Sequence, residues 1–465
     1  MIELIRLYRG FALKAGKKSC HCERSAATSS PYLAAIHHEY ARDEVASSFL
    51  LAMTKLLGFV ASKMLLIFIL FCPFSAFAQS PSKPFPQHQK YFPGTIKPNH
   101  ITQSQLDNTV KTFYTQWKAR FIKHSPDKDE DFVWFENKDK KQCVSEGQGY
   151  GMIIVALLAG YDVGAKATYD NLFHYVKAHP SGKSKHLMAW AQYANGKSTD
   201  NTSASDGDMD IAYSLLLADK QWGSKGKINY LAEAKAMINA IMLYEINHQT
   251  WSVLLSDGIE AESKDYFATR SSDFMPSHFK AFKTATKDAR WDKVVDAGYK
   301  LFTTMEETYS PDAGLIPDFI VNLNKKPKPA PPNFLESPYD GLYNYNACRD
   351  PWRIGSDYLL TGDKRAKRIA DNINRWIRST TNNDTYNLSA GYTLAGNDIK
   401  HRYFEALSFV APFAVSAMVD RENQVWLNKV WDYLVAFKLK DYDYYDNSIK
   451  LMDMIIVSGN YWGAR

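Results

Sequence analysis

Two acids set in glycine-rich and acidic surroundings could do chemistry in this sequence. Glu146 stands in the run Ser145-Glu-Gly-Gln-Gly-Tyr-Gly-Met152, among Gly147, Gly149 and Gly151, with the apolar stretch Ile153 to Leu158 following. Glycine clears side chains where another group must approach backbone, and a helix holds an acid on a rigid element. The pattern predicts close approach of a bulky ligand here. The run from Ala204 to Trp222 repeats the design with Asp206, Asp208 and Asp210. Two carboxyls facing one bond suit glycoside cleavage, in which one acid protonates the leaving oxygen and a second acts from the opposite face. A calcium loop starting at Asp206 is excluded, because Ile211 and Leu217 stand where that loop needs Gly and Glu. The run reads as a helix start with Asp206 as N-cap and Ile211, Leu215 and Trp222 on the inner face. A plain acidic cap is the alternative to a chemical role for Asp206.

The elements that must carry these acids are helical. Apolar residues spaced by three and four, such as Leu231, Ala234, Ile238 and Ile241, predict helices at 103–123, 147–160, 166–178, 208–222, 227–245, 273–285, 290–306, 349–361, 364–380, 402–418, 423–438 and 448–458. Strand-like alternation is scarce. A dozen helices in one chain predict an all-α fold of helical hairpins arranged in a ring. Residues 324–333 break the pattern: four closely spaced prolines exclude helix and predict an extended polyproline loop. It leads into Phe334-Leu-Glu-Ser-Pro-Tyr-Asp340, and long loops in compact domains are often functional, so Glu336 and Asp340 join the candidates. Aromatic residues make up 14% of the chain. Most must build core, but rings in a cleft would stack on the apolar faces of sugars.

The N-terminal part is expected to lie outside the fold. Residues 53–78 read as a secretory signal: Lys55 and Lys63, an apolar core from Met64 to Phe71, and a small-x-small site at Ala76-Phe-Ala78. The core is too short to span a membrane, which takes about 20 apolar residues. A lipoprotein anchor at Cys72 is disfavoured by Phe71 before it. Residues 1–52, with their Cys20-His-Cys22 cluster, read as an over-extended gene start rather than a metal site. The catalytic domain is then 79–465, exported outside the cell or to the periplasm and free of the membrane once the leader is cleaved. Its 47 Lys/Arg against 45 Asp/Glu give no support to a nucleic-acid partner. Only Cys143 and Cys348 remain in it, either as a disulfide, which an exported compartment permits, or as separate buried thiols. No metal-ligand spacing, phosphate loop or nicotinamide fingerprint competes, so neither metal nor cofactor is expected.

Three blocks together resemble glycoside hydrolase family 8. They are Ser145 to Met152, Ala204 to Trp222, and Tyr345-Asn-Ala-Cys-Arg349 followed by Pro351-Trp-Arg353. The resemblance runs from about Lys83 to Trp462, and it implies an (α/α)6 barrel with a β-1,4-glycan across its open end. It implies Glu146 as proton donor and Asp206 as the carboxylate that binds and distorts the central sugar. Many members carry Asp after the tyrosine of the third block; here that residue is Asn346. The chain resembles in this a subfamily rich in chitosanases and lichenases, whose base is a glutamate from the preceding inserted loop. Glu336 fits that position, with Asp340 next. Because the family is inverting, acid and base are expected roughly 6.5–9.5 Å apart with a water between them. Trp190, Asp208, Phe274, Asp340, Tyr345, Asn346, Arg349 and Tyr403 are the candidate sugar contacts, with core packing as the competing role for the aromatic ones.

One difficulty attends Glu146. A helix N-terminus favours the charged carboxylate, whereas a general acid must stay protonated near neutral pH. Burial and the neighbouring Asp206 charge would have to push its pKa up. The expected protein is a secreted, monomeric endo-hydrolase acting on chitosan, lichenan or a cellulose-type glucan. A polysaccharide lyase, or a glycan-binding protein that has lost its base, are the alternatives.

Overall fold

In the computed structural model, residues 80–125, 128–135, 141–399, 404–440 and 443–465 are described. The expected leader at 53–78, the segment 1–52 and Tyr403 lie outside these residues. Twelve α-helices fall among the described residues, and they sort into two kinds.

One kind is buried over most of its surface. It comprises α2 (Ser145–Leu157), α4 (Ser205–Trp222), α6 (Pro276–Thr286), α8 (Asp350–Thr361), α10 (Leu407–Ala417) and α12 (Tyr444–Val457). Every residue of α2 except Glu146 is buried, and so is every residue of α10. The other kind carries an apolar stripe. It comprises α1 (Gln103–Phe121), α3 (Ala165–Ala178), α5 (Tyr230–Tyr244), α7 (Arg290–Tyr309), α9 (Lys364–Thr380) and α11 (Gln424–Ala436). In α9 the stripe is Ala366, Ile369, Ala370, Ile373 and Ile377, with lysines and arginines on the remaining face. A helix buried over most of its surface is surrounded by others, and a striped one lies at a surface. The chain alternates the two kinds. The surrounded helices close a ring, α2 on α4, α4 on α6, and so on through α12 back to α2, and each striped helix covers it from outside. This is an (α/α)6 barrel.

Among the described residues three small antiparallel sheets decorate the barrel. β1 (Ile122–His124) pairs with β2 (Asp131–Val133). β3 (Lys141–Val144) pairs with β4 (Ala191–Tyr193) and runs straight into α2. β5 (Ala268–Arg270), β6 (Phe319–Val321) and β7 (Lys328–Pro329) form the third. Here the structure departs from the polyproline expectation: Lys328 and Pro329 ladder onto Val321 and Ile320. Pro329 can do so because β7 is an edge, where a missing N–H costs no ladder bond. The loop that follows carries Glu336 back toward the barrel end. Cys143 and Cys348 are both free and buried, so the disulfide alternative is corrected to two separate thiols.

Of the glycines expected to admit a ligand, Gly149 instead admits a helix, while Gly147 and Gly151 pack against Tyr444 and Val133. A Cβ on Gly149 would stand 2.7 Å from Asp210 Cβ, and one on Gly207 would stand 2.6 Å from the Ser145 carbonyl carbon. Both lie on the α2–α4 contact, so the two backbones approach until the acids at their N-termini become neighbours. Asp206 is also not the N-cap: Ala204 holds that place, and Asp206 lies in the first turn. Lower in the ring, buried Asp210 accepts from both Arg353 nitrogens at 2.9 and 2.6 Å and bonds His278 at 2.9 Å, tying α4 to α8 and α6. Burial acts to raise Asp210, but Arg353 and His278 outweigh it and hold it at about 2.

Gly207→Ala is expected to destabilise the protein by about 3 kcal/mol, since the clash is with backbone that cannot rotate away. Gly226→Ala, whose Cβ would meet nothing within 4 Å, should stay within about 0.5 kcal/mol of wild type. Denaturant unfolding of both variants checks the difference.

Candidate active site

A cleft of about 530 Å³ opens at the barrel end where α2, α4 and α12 begin. Glu146, Asp206, Arg270, Glu336, Asn346 and Tyr444 line it, with Phe135, Trp190, Tyr345 and Tyr445 supplying aromatic surface. Its floor is Arg349, which is 1% exposed. Arg349 Nη1 donates to Glu146 Oε2 at 2.5 Å and to Asp206 Oδ2 at 2.9 Å. Its Nη2 donates to Ser272 Oγ at 2.7 Å and to Asn346 Oδ1 at 3.0 Å. The turn leading into α8 supplies Arg349, so one guanidinium gathers α2, α4, α8 and the turn before α6.

The two acids on this arginine ionise differently. Burial raises Glu146 to about 7; Arg349 and the Tyr444 hydroxyl pull it down, and the Asp206 charge pushes it further up. The Tyr444 hydroxyl donates to Glu146 Oε1 at 2.5 Å. Burial also acts to raise Asp206, but Arg349 and then Arg270 outweigh it and hold it below the usual carboxylate range. The helix-dipole difficulty is therefore met by desolvation, which dominates for Glu146 and loses for Asp206. Near neutral pH one acid can hold a proton while its neighbour stays charged.

Across the cleft, Glu336 has a side chain 43% exposed. Arg270 Nη2 donates to its Oε1 and Asn346 Nδ2 to its Oε2, both at 2.8 Å. Acid and candidate base are thus linked through the Arg349 guanidinium and the Asn346 amide. Asp340 does not reach the cleft. It is buried and accepts from the backbone N–H groups of Leu335, Glu336 and Ser337, so it shapes the turn that presents Glu336.

The chain from residue 100 to 459 matches the model of glycosyl hydrolases family 8. A β-glucanase of Niallia circulans is 46% identical over 85% of this chain and 95% of its own length. An endoglucanase of Bacillus sp. (strain KSM-330) is 40% identical, covering 82% of each. The apo structure of a β-1,3-1,4-glucanase from Paenibacillus sp. X4 superposes with a TM-score of 0.79 at 46% identity, covering 83% of this chain and all of that one.

This chain belongs to glycosyl hydrolase family 8.

It is therefore a glycoside hydrolase. Within this family 8 site the sequence candidates divide. Trp190, Tyr345, Asn346 and the three acids line the cleft, with Arg349 beneath. Trp190 stands beside the acid because its carbonyl accepts the Ser145 N–H, and the Lys141 ammonium lies 4.3 Å over its ring. Asp208 is corrected: it is fully buried, and its Oδ1 accepts the Met188 N–H at 2.9 Å, holding the loop that bears Trp190. Burial, with Glu245 beside it, pushes Asp208 well up. Phe274 is corrected too, since it packs in the core against Tyr299 and Phe302. Arg270, Ser272, Asp318, Asp443, Tyr444 and Tyr445 were not anticipated. Arg270 ends a three-residue strand and the Tyr444-Tyr445 pair begins a helix, and neither carries a motif of its own. Among the described residues no group of three or more His, Cys, Asp or Glu side chains is placed to hold a metal ion, and no helix is long and apolar enough to cross a membrane.

Arg349→Met should lower stability by about 3–5 kcal/mol, because it strands buried carboxylates without their cation. Removing the cation raises the folded-state pKa of both acids, so the deficit is full where both are ionised and shrinks as pH falls, the Glu146 part being lost by about pH 7 and the Asp206 part only as pH nears its depressed wild-type value. Urea unfolding of wild type and variant at pH 7 and pH 3.5 measures both effects.

Proposed function

We propose that this family 8 hydrolase cleaves internal bonds of a β-glucan with inversion at the anomeric carbon. Glu336 takes a proton from a water as the water oxygen bonds to that carbon. The bond to the leaving sugar breaks, its electron pair stays on the glycosidic oxygen, and that oxygen takes the Glu146 proton. Asp206 remains ionised, binds the distorted sugar and stabilises positive charge developing on the ring.

The observation that carries this reading is the split ionisation at Arg349: a buried Glu146 near 7 beside an Asp206 held low. Two carboxyls whose surroundings drive their pKa values apart mark an acid and a stabiliser. Glu336 lines the same cleft, and its two oxygens accept hydrogen bonds from Arg270 and Asn346. Loss of the base, the binding-only alternative, is disfavoured because Glu336 stands in the cleft while Asn346 donates to it. A lyase is disfavoured by the pairing of each cleft cation, Arg270 and Arg349, with a carboxylate.

Neutral glucan is favoured over chitosan. Glu146, Asp206 and Glu336 already have arginine partners, and the Lys141 ammonium covers one face of Trp190. A polycation would find little uncompensated negative charge there. The relatives named as a β-glucanase and a β-1,3-1,4-glucanase support a mixed-linkage glucan, with cellulose-type chains next. Secretion through the 53–78 leader and action as a monomer complete the reading.

Reducing-sugar release on lichenan, carboxymethyl cellulose and chitosan tests it. Lichenan should be cleaved fastest, and Glu146→Gln and Glu336→Gln should each lose about 10³-fold or more in kcat. Full activity of the Glu336→Gln variant would remove Glu336 as base. Because Glu146 must carry its proton, kcat/KM should fall as pH rises through about 7. Tyr444→Phe removes a bond that favours the charged form, so it should move that alkaline limb upward.

A further inference from the structure

The side-chain amide of Asn346 sits among three charged groups. Its Oδ1 accepts from Arg349 at 3.0 Å, and its Nδ2 donates to Glu336 at 2.8 Å while standing 3.5 Å from Asp318 Oδ2. An amide's two ends look alike in shape and must be assigned from their partners. Here Arg349 decides the choice: a guanidinium only donates, so the amide oxygen faces it and Nδ2 faces the carboxyls of Glu336 and Asp318. Asp318 is 2% exposed and does not line the cleft. Its Oδ1 accepts the backbone N–H groups of Asn344, Asn346 and Ala347 at 3.0, 3.1 and 2.7 Å. Those three bonds fix the turn from which the amide projects, and Oδ2 is left facing the amide nitrogen.

We propose that Asn346, oriented by Asp318, is the positioning residue that locks Glu336 in place and joins it to the arginine holding Glu146. The proposal rests on the reading of Glu336 as base. A half-exposed glutamate samples several rotamers, and holding both oxygens removes that freedom. Arg270 alone would leave the carboxylate free to turn about one contact; Asn346 supplies the second. An aspartate at 346 would set a second carboxylate against Glu336 Oε2. Like charges that close cannot both ionise easily, and one proton would be shared between them. The residue type at 346 is thus dictated by the acid at 336.

The charged surroundings of Glu336 are few. Arg270 faces it from the end of β5, and Asp273, Asp206 and Arg349 act with Arg270 from the turn before α6, from α4 and from the turn before α8. Asp318 faces it from the start of β6. Asp340 binds its backbone N–H from its own loop. Changing Asn346 leaves Arg270 in place, so the effect on Glu336 can be read by itself.

The test is the pH dependence of kcat/KM on soluble lichenan for wild type, Asn346→Asp, Asp318→Asn and Glu336→Gln, with melting temperatures alongside. Asn346→Asp is close to isosteric. It should raise the acid limb by about one pH unit or more and lower kcat more than it changes KM. Asp318→Asn turns Oδ2 into an NH₂ group opposite the Asn346 NH₂; the two donors repel, and the amide is pushed off its 2.8 Å bond to Glu336 while Arg349 still holds its oxygen. Its acid limb should therefore move the same way, although Asp318 lies outside the cleft. A purely structural role would lower the melting temperature and leave the limb unmoved. If Glu336→Gln is inactive while both other variants keep the wild-type acid limb, the positioning role falls and Glu336 stands as base. If Glu336→Gln is as active as wild type, both readings fall together.

Discussion

The guanidinium of Arg349 stands between two carboxyls brought within hydrogen-bonding reach of one nitrogen atom. Without that cation the first turns of α2 and α4 would present two buried acids to each other, and one or both would protonate or the helices would part. With it, the acids can share a small, largely dry space and still differ in ionisation. The difference comes from how much of each is compensated. On Asp206, Arg349 and Arg270 outweigh burial; on Glu146, Arg349, a tyrosine hydroxyl and Arg270 do not outweigh burial and the neighbouring Asp206 charge. The barrel exists, in functional terms, to hold this arginine and its acids at one end of a ring of buried helices.

Close approach of α2 and α4 is the mechanical counterpart of that charge arrangement. Gly149 and Gly207 allow backbone to meet backbone, and Asp210, one turn into α4, is anchored by Arg353 and His278 from two other inner helices. A second layer of buried carboxyls works in the same spirit. Asp208 holds the loop of Trp190, Asp340 holds the turn of Glu336, and Asp318 holds the turn of Asn346, each by accepting backbone N–H groups. A carboxyl aimed at several amides organises a turn as a helix cap does; Asp340 and Asp318 each accept three backbone N–H groups, and Asp208 accepts one. Only some of the acids near the site thus face the cleft; others shape the loops around it.

Much of this was legible before any coordinates. The three- and four-residue spacing located all twelve helices, and α9 matches its predicted 364–380 limits. Glu146, Asp206 and Glu336 were identifiable from motif and loop context. Misreadings arose where one residue type serves two purposes. Glycine marks any close approach, and at Gly149 the partner proved to be a helix. An acid beside a motif acts on substrate or on backbone, and Asp208 and Asp340 do the latter. Phe274 is an aromatic next to a cleft whose ring points into the core. Arg270, Asp318 and Tyr444 carried no local pattern, since each matters through residues tens to hundreds of positions away.

By itself the sequence determined the helical periodicity, the family and the acids that became candidates, because these depend on neighbours within a few residues along the chain. The tertiary structure alone decided which carboxyl is pushed up and which is held low, that both cysteines stay thiols, and which acid faces the cleft. Those outcomes depend on desolvation and on charges brought together across the ring. Such terms fall off over a few ångströms of space and have no fixed relation to distance in sequence.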